Sequence, residues 1–217
     1  LRPSFQLGII LTYTDRPDEA RPLVMAELDR VTALGDEAAR VGVLFRLAEL
    51  ELRAGNWGPA SEAAREAMAL GAQAGIEQEQ TTGLMVHALM TAHLGALDAA
   101  RQAASRSLAV ATEMGDRIVA TRARGVLGLI EMSAGRPVEA LRSLEPAMDD
   151  LRRMGIGELS IAAAPENLVE ALIAVGRLDE AAALCDETEE RGLPADRAWH
   201  AAIASRGRAL IAAARGE

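Results

Sequence analysis

Three histidines, one cysteine and one dense acidic run are the residues here whose types could carry chemistry. His87 and His93 stand six apart, so a helix would not align their imidazoles on one face as an i, i+4 pair would be aligned. His200 lies far from both in the chain. No His-Glu-x-x-His and no Cys-x-x-Cys occurs, so nothing has the spacing of a metal site. Cys185 is the single cysteine, which excludes an internal disulfide and suits a reducing compartment. A pairing of its thiol with a distant histidine is not signalled by any spacing, and a small buried helix residue is the ordinary reading. Asp186-Glu187 with Glu189-Glu190 reads as a solvated helix face. All 23 basic residues are arginine, so no lysine is present to complete a P-loop. No nucleophile–base–orienter set emerges, and the chain is expected to be non-catalytic, with no metal and no cofactor of its own.

The elements that would position any binding side chain are helices. Half of the 217 residues are hydrophobic but only 2% are aromatic, so the core must be built from Leu, Ile, Val, Met and Ala. Small side chains favour closely crossing helices, and period-two runs of Val, Ile, Thr and aromatics are missing. The net charge of −9, with acids and arginines interspersed, argues against direct nucleic-acid binding. No uncharged apolar run approaches about 18 residues, so no membrane span is expected and a cytoplasmic location fits. Leu1-Arg2-Pro3-Ser4 is neither an initiator Met nor a signal peptide, and the expectation is a segment excised from a longer protein.

A turn recurs through the chain: Gly55-Asn56-Trp57-Gly58-Pro59-Ala60, Gly95 to Ala100, Gly135 to Ala140 and Gly176 to Ala181, with Asp15 to Ala20 as an earlier copy. Its alanines stand at 20, 60, 100, 140 and 181, steps of 40, 40, 40 and 41. Such regularity predicts an all-α solenoid of antiparallel helix hairpins with a period of about 40 and roughly eleven helices, residues 1–217 forming one repeat domain. In the repeat 36–75, Asp36 caps a first helix, A, whose apolar Val43, Leu44, Leu47, Leu50 and Ala54 share a face. Gly55 ends it in the left-handed conformation, Asn56 caps a second helix, B, and Pro59 occupies its first turn. Helix B carries Ala60, Ala63, Ala64, Ala67 and Leu70 and stops at Gly75. The other B helices stop at Gly35, Gly115, Gly155 and Gly192. Trp57, in the apolar slot after the turn, is expected in the core. Pro22, Pro146 and Pro165 inside helices predict kinks or short breaks. Around Gly155-Ile156-Gly157 the longer spacing offers an alternative, a loop opening the repeat before Pro165.

These residues resemble tetratricopeptide repeats. The match is carried by Leu47-Ala48, Gly55, Ala60 and Ala67, and by Leu127-Gly128, Gly135, Ala140 and Ala147. His87-Ala88, Gly95, Ala100 and Ser107 match in part, as do Leu168-Val169, Gly176, Ala181 and Thr188. The period exceeds the family's usual length of about 34. HEAT-type repeats share the longer period but not the Gly-to-Ala turn. More narrowly, the stretches Arg2 to Gly8, Leu47 to Trp57, Pro165 to Leu172 and Val175 to Ala181 look like the repeat region of large ATP-binding regulators of the LuxR family, common in actinobacteria. That resemblance implies a P-loop ATPase and a DNA-binding helix-turn-helix elsewhere in a parent protein, and ATP only there.

In tetratricopeptide folds helix A lines a concave groove, and residues ten, six and two before the turn glycine point into it. Here these are Phe45, Glu49 and Arg53; Met85, Leu89 and His93; Gly125, Leu129 and Ser133; and Glu166, Glu170 and Ala174. Arg122 enters from the previous turn of its helix. The expected site is Phe45, Glu49, Arg53, Met85, Leu89, His93, Arg122 and Leu129, apolar with polar handles, suiting a small organic effector or a peptide helix. The competing reading has these side chains pack between neighbouring A helices. The expected function is a sensing or interaction segment of a transcriptional regulator; the alternative is a general protein–protein scaffold unconnected with transcription. Self-association through the solenoid ends is a further expectation, because end faces lack the repeat that would cover them.

Overall fold

A computed structural model describes residues 2–74, 77–193 and 197–217, with side chains outside 74–82. Its described residues form eleven α-helices and one 3-10 turn. They alternate as helix A and helix B: α1 (Pro3–Tyr13), α2 (Pro17–Ala33), α3 (Glu37–Arg53), α4 (Trp57–Ala74), α5 (Glu77–His93), α6 (Leu97–Glu113), α7 (Arg117–Ser133), α8 (Pro137–Met154), α9 (Pro165–Ala174), α10 (Leu178–Gly192) and α11 (Ala198–Arg215). Each A helix from α1 to α9 packs on its own B helix and on the next A helix: α1 on α3, α3 on α5, α5 on α7, α7 on α9 and α9 on α11. The A helices therefore form the inner, tighter face of a tetratricopeptide-like solenoid.

The hinges follow from backbone chemistry. Gly55 is left-handed at φ +80°, its N–H reaches Leu52 O at 3.0 Å, and the Asn56 N–H reaches Glu51 O at 2.8 Å. These bonds satisfy carbonyls the helix end would strand, and the same pattern closes α5, α7 and α9. Asp15 takes the same role at φ 60° without being glycine. At the crossing of A and B, Ala20, Ala60, Ala100, Ala140 and Ala181 are fully buried. So are Ala67, Ser107, Ala147 and Thr188, the second small position. Gly128 shows why size is limited there, since a Cβ would lie 2.2 Å from Leu144. Asp36 caps α3 by accepting from the Ala39 N–H at 3.0 Å.

Five sequence expectations need correction or placement. Pro22 and Pro146 do not interrupt α2 or α8, which run through both as single helices. Pro165 starts α9 at its first turn instead of kinking a longer helix, and residues 155–164 form a loop with one 3-10 turn, Leu159–Ala162, which is the alternative the Gly155-Ile156-Gly157 spacing offered. Trp57 is 44% exposed rather than core, because the first residue of helix B faces away from its hairpin; it meets the His93 ring edge-on at 5.1 Å. Gly192 ends α10 without a left-handed turn; a Cβ there would lie 2.4 Å from that of His200. The stop expected at Gly75 lies outside the described residues.

Candidate functional site: a closed polar groove

The curvature of the six A helices decides the site. Arg197 at the start of α11 donates to Tyr13 O at 2.5 Å and to Asp15 Oδ2 at 3.2 Å, at the far end of the chain. Across the middle, Glu49 of α3 pairs with Arg122 of α7, two hairpins further on. The inner face is thus wound tightly enough that opposite walls touch. A groove of this width is filled by ion pairs and by whatever backbone enters it.

Glu49 and Arg122 are both buried, and each is held by several partners. Glu49 accepts from the Tyr13 hydroxyl at 2.7 Å and from Arg46 Nη1 at 3.2 Å. Burial pushes its pKa up, but Arg122, Arg46, the Tyr13 hydroxyl and Arg53 more than reverse this, leaving the carboxyl below its usual range. Tyr13 is the chain's one tyrosine, and burial raises its pKa to about 12. Its ring lies under two guanidiniums, Arg53 at 5.0 Å and Arg122 at 5.7 Å, where the negative π-face favours cations.

Into this constellation comes the chain's own loop. Arg53 donates to Ser160 O at 3.1 Å and to Ser160 Oγ at 2.7 Å, and its Nε reaches Thr12 O at 3.2 Å. Arg122 Nε donates to Ile161 O at 3.1 Å. Arg197 pairs with Glu158, whose other oxygen caps the turn by accepting from the Ser160 N–H at 3.1 Å. Gly125 completes the seat, since a Cβ there would stand 1.6 Å from Ala162 O. Leu159 and Ala162 are buried, while Arg53 keeps an exposed edge.

Of the expected site residues, the structure brings Glu49, Arg53 and Arg122 together. Phe45 and Met85 are buried in the core between successive A helices. The Phe45 ring lies 2.0 Å from where a Gly83 Cβ would be, so it fills space on the neighbouring helix rather than in the groove. Leu89 and Leu129 are half-buried against the same core. His93 is exposed at the hinge end on Trp57. Tyr13, Arg46, Glu158, Ser160 and Arg197 were not anticipated. The extra residue in the fourth period and its Gly155-Ile156-Gly157 break signalled only the loop that carries Glu158 and Ser160.

Glu166, at the start of α9, faces this cluster with its Oε2 buried and without a hydrogen-bond partner. Burial raises its pKa to about 7, opposed by Arg53 and Arg206 and reinforced by Glu170. The folded carboxyl therefore keeps a proton that the unfolded chain has already released between pH 4.5 and 7. Wild-type stability is fully present below the unfolded value and falls as pH rises through 7. Glu166→Gln, neutral at every pH, should leave the urea midpoint unchanged at pH 4 and raise it at pH 8. An equal midpoint at pH 8 would show that Glu166 is solvated.

Cys185 is fully buried, burial pushes its thiol pKa up, and it packs on Gly207. His200 is buried with both ring nitrogens unpartnered, and burial together with Arg197 lowers its pKa. Among the described residues no group of three or more His, Cys, Asp or Glu could hold a metal ion, and no helix is long and apolar enough to cross a membrane.

No protein-family profile matches the chain, and no curated protein matches it. Among solved structures it is similar to a Rap protein complexed with competence and sporulation factor, with a TM-score of 0.77 at 12% identity. The alignment covers 98% of this chain and 64% of that one, so this chain spans under two thirds of the neighbour's length. At this identity the likeness is one of fold: a tetratricopeptide-like helical repeat.

Proposed function

We propose that the chain is a non-catalytic interaction domain whose concave face binds a peptide segment or small effector, and that it passes this occupancy to neighbouring ATPase and DNA-binding domains of a transcriptional regulator. One observation carries the reading. Three arginines, Arg53, Arg122 and Arg197, converge on the concave face and hold a short piece of backbone through its carbonyls and one carboxylate. A face that recognises backbone oxygens and carboxylates is suited to peptides. The Rap neighbour, itself complexed with competence and sporulation factor, supports an interaction role for the fold. Coupling to other domains requires that an occupant bind two curvatures of the solenoid unequally. Self-association through the α1 end is part of the same proposal, because Leu7 and Ile10 are exposed there at 49% and 58%.

The test is a fluorescence-polarisation screen of a heptapeptide library on the unaltered chain and on Arg53→Glu. Expected is selection of acidic peptides by the unaltered chain and loss of that selection in the variant. Equal selection by both proteins would remove the concave face from the function. The regulator assignment is decided separately by the flanking coding sequence, where a P-loop and a basic helix-turn-helix are expected. Their absence would favour the general scaffold.

A further inference from the structure

The loop 155–164 does not belong to the helical ladder. It leaves α8 at left-handed Gly155 and rejoins the repeat at Pro165 after Ala163, a non-glycine residue at φ 49°. Left-handed alanine is a strained conformation that persists only where surrounding contacts over-determine it. Asn167 of α9 donates to Ala163 O at 2.7 Å, and the other contacts come from α3, α7 and the α11 entrance: Arg53, Arg122, Gly125 and Arg197. What they grip is generic to peptides, namely two main-chain carbonyls and a hydroxyl, together with one carboxylate.

Resting on the interaction reading above, we infer that residues 157–163 are a built-in occupant of the groove, and that the external partner is a peptide of the same chemistry. That partner carries a carboxylate two residues before a small hydroxyl residue, with apolar side chains between and after, folded into one turn. Arg197 takes the carboxylate, Arg53 takes the carbonyl and hydroxyl at the serine position, and Arg122 takes the next carbonyl. Gly125 lets the following residue approach the α7 backbone. Release requires breaking neither α8 nor α9, because the segment lies wholly between their ends. A tethered occupant acts at an effective concentration on the order of millimolar, so a free peptide binds the unaltered chain, but more weakly than it binds a chain whose tether is disabled.

The probe is the labelled peptide Gly-Glu-Leu-Ser-Ile-Ala-Ala, the sequence of 157–163. Its binding is read by fluorescence polarisation on the unaltered chain, on Glu158→Arg/Leu159→Asp, and on that variant with Arg53→Ala added. The peptide is expected to bind the double variant at least about tenfold more tightly than the unaltered chain, and the added Arg53→Ala to abolish the gain. Equal binding to the unaltered chain and the double variant, or none to either, overturns the inference. Hydrogen exchange on the unaltered chain covers the case in which the double variant does not fold. Amides of 158–163 are expected to exchange at least about a hundredfold faster than those of 121–130, because the segment opens without its neighbours. Exchange at the rate of α7 overturns the inference. Library peptides selected through Arg53 without faster exchange in 158–163 would sink the inference and leave the interaction function standing.

Discussion

Arg122→Ala should destabilise the domain by about 3–5 kcal/mol at neutral pH, the range for breaking one side of a buried ion pair. The reason lies in what is left behind. Arg122 and Glu49 are both buried, and removing the guanidinium strands a carboxylate whose remaining partners are Tyr13 and Arg46. In the intact protein Glu49 is held below its usual pKa, so its contribution is present above the ordinary carboxylate range and lost as pH falls through the depressed value. Without Arg122 the largest influence opposing burial is gone and the carboxyl's pKa moves up from its depressed value, so the variant takes its proton at higher pH than the intact protein does. The difference between the two proteins should therefore be largest near pH 7 and shrink toward pH 3. Urea denaturation across that range measures it. Arg122→Leu combined with Glu49→Leu should recover part of the loss, since no buried carboxylate is then left unpaired, while the Tyr13 hydroxyl and Arg46 still lose their acceptor. A loss under about 1 kcal/mol for Arg122→Ala would mean that the opposite walls of the groove do not meet, because exposed pairs contribute no more than that.

The hinges and the small residues at 20, 60, 100, 140 and 181 were legible because a helix crossing forbids large side chains at fixed positions in every repeat. The i+4 register placed Glu49 and Arg53 on one face for the same local reason. Closure of the ring is different. It arises from a small rotation between successive hairpins, summed over six A helices, and no single residue encodes it. Hence the meeting of Arg197 with Tyr13 and Asp15 could not be read from spacing. Phe45 was misread because its destination depends on the neighbouring helix, where Gly83 leaves a space that the ring fills. His93 and Trp57 sit at the hinge end, where helix B begins facing outward, so an apolar slot in sequence became an exposed aromatic pair.

Gly125→Ala isolates the loop from the rest of the fold. Within a helix, alanine is favoured over glycine by about 1 kcal/mol, so propensity alone predicts a more stable α7. Against this, the added Cβ would lie 1.6 Å from Ala162 O and 2.8 Å from its carbonyl carbon, a collision with backbone that no rotamer relieves. Either α7 or the loop must give way. α7 is locked on α6 and α8, and Gly128 fixes its approach to Leu144, whereas the loop is held by side-chain donors and by the burial of Leu159 and Ala162, has one short 3-10 turn, and carries a strained alanine. The loop should therefore leave. Lost with it are the burial of Leu159 and Ala162 and the bonds from Arg53 and Arg122, a net change of about 1–3 kcal/mol, the range for overpacking. Circular dichroism should show the helices intact, while the amides of 158–163 lose protection and those of α3 and α8 keep theirs. Loss of all helical signal would instead make the loop part of the cooperative core, since an appended segment cannot take the ladder with it.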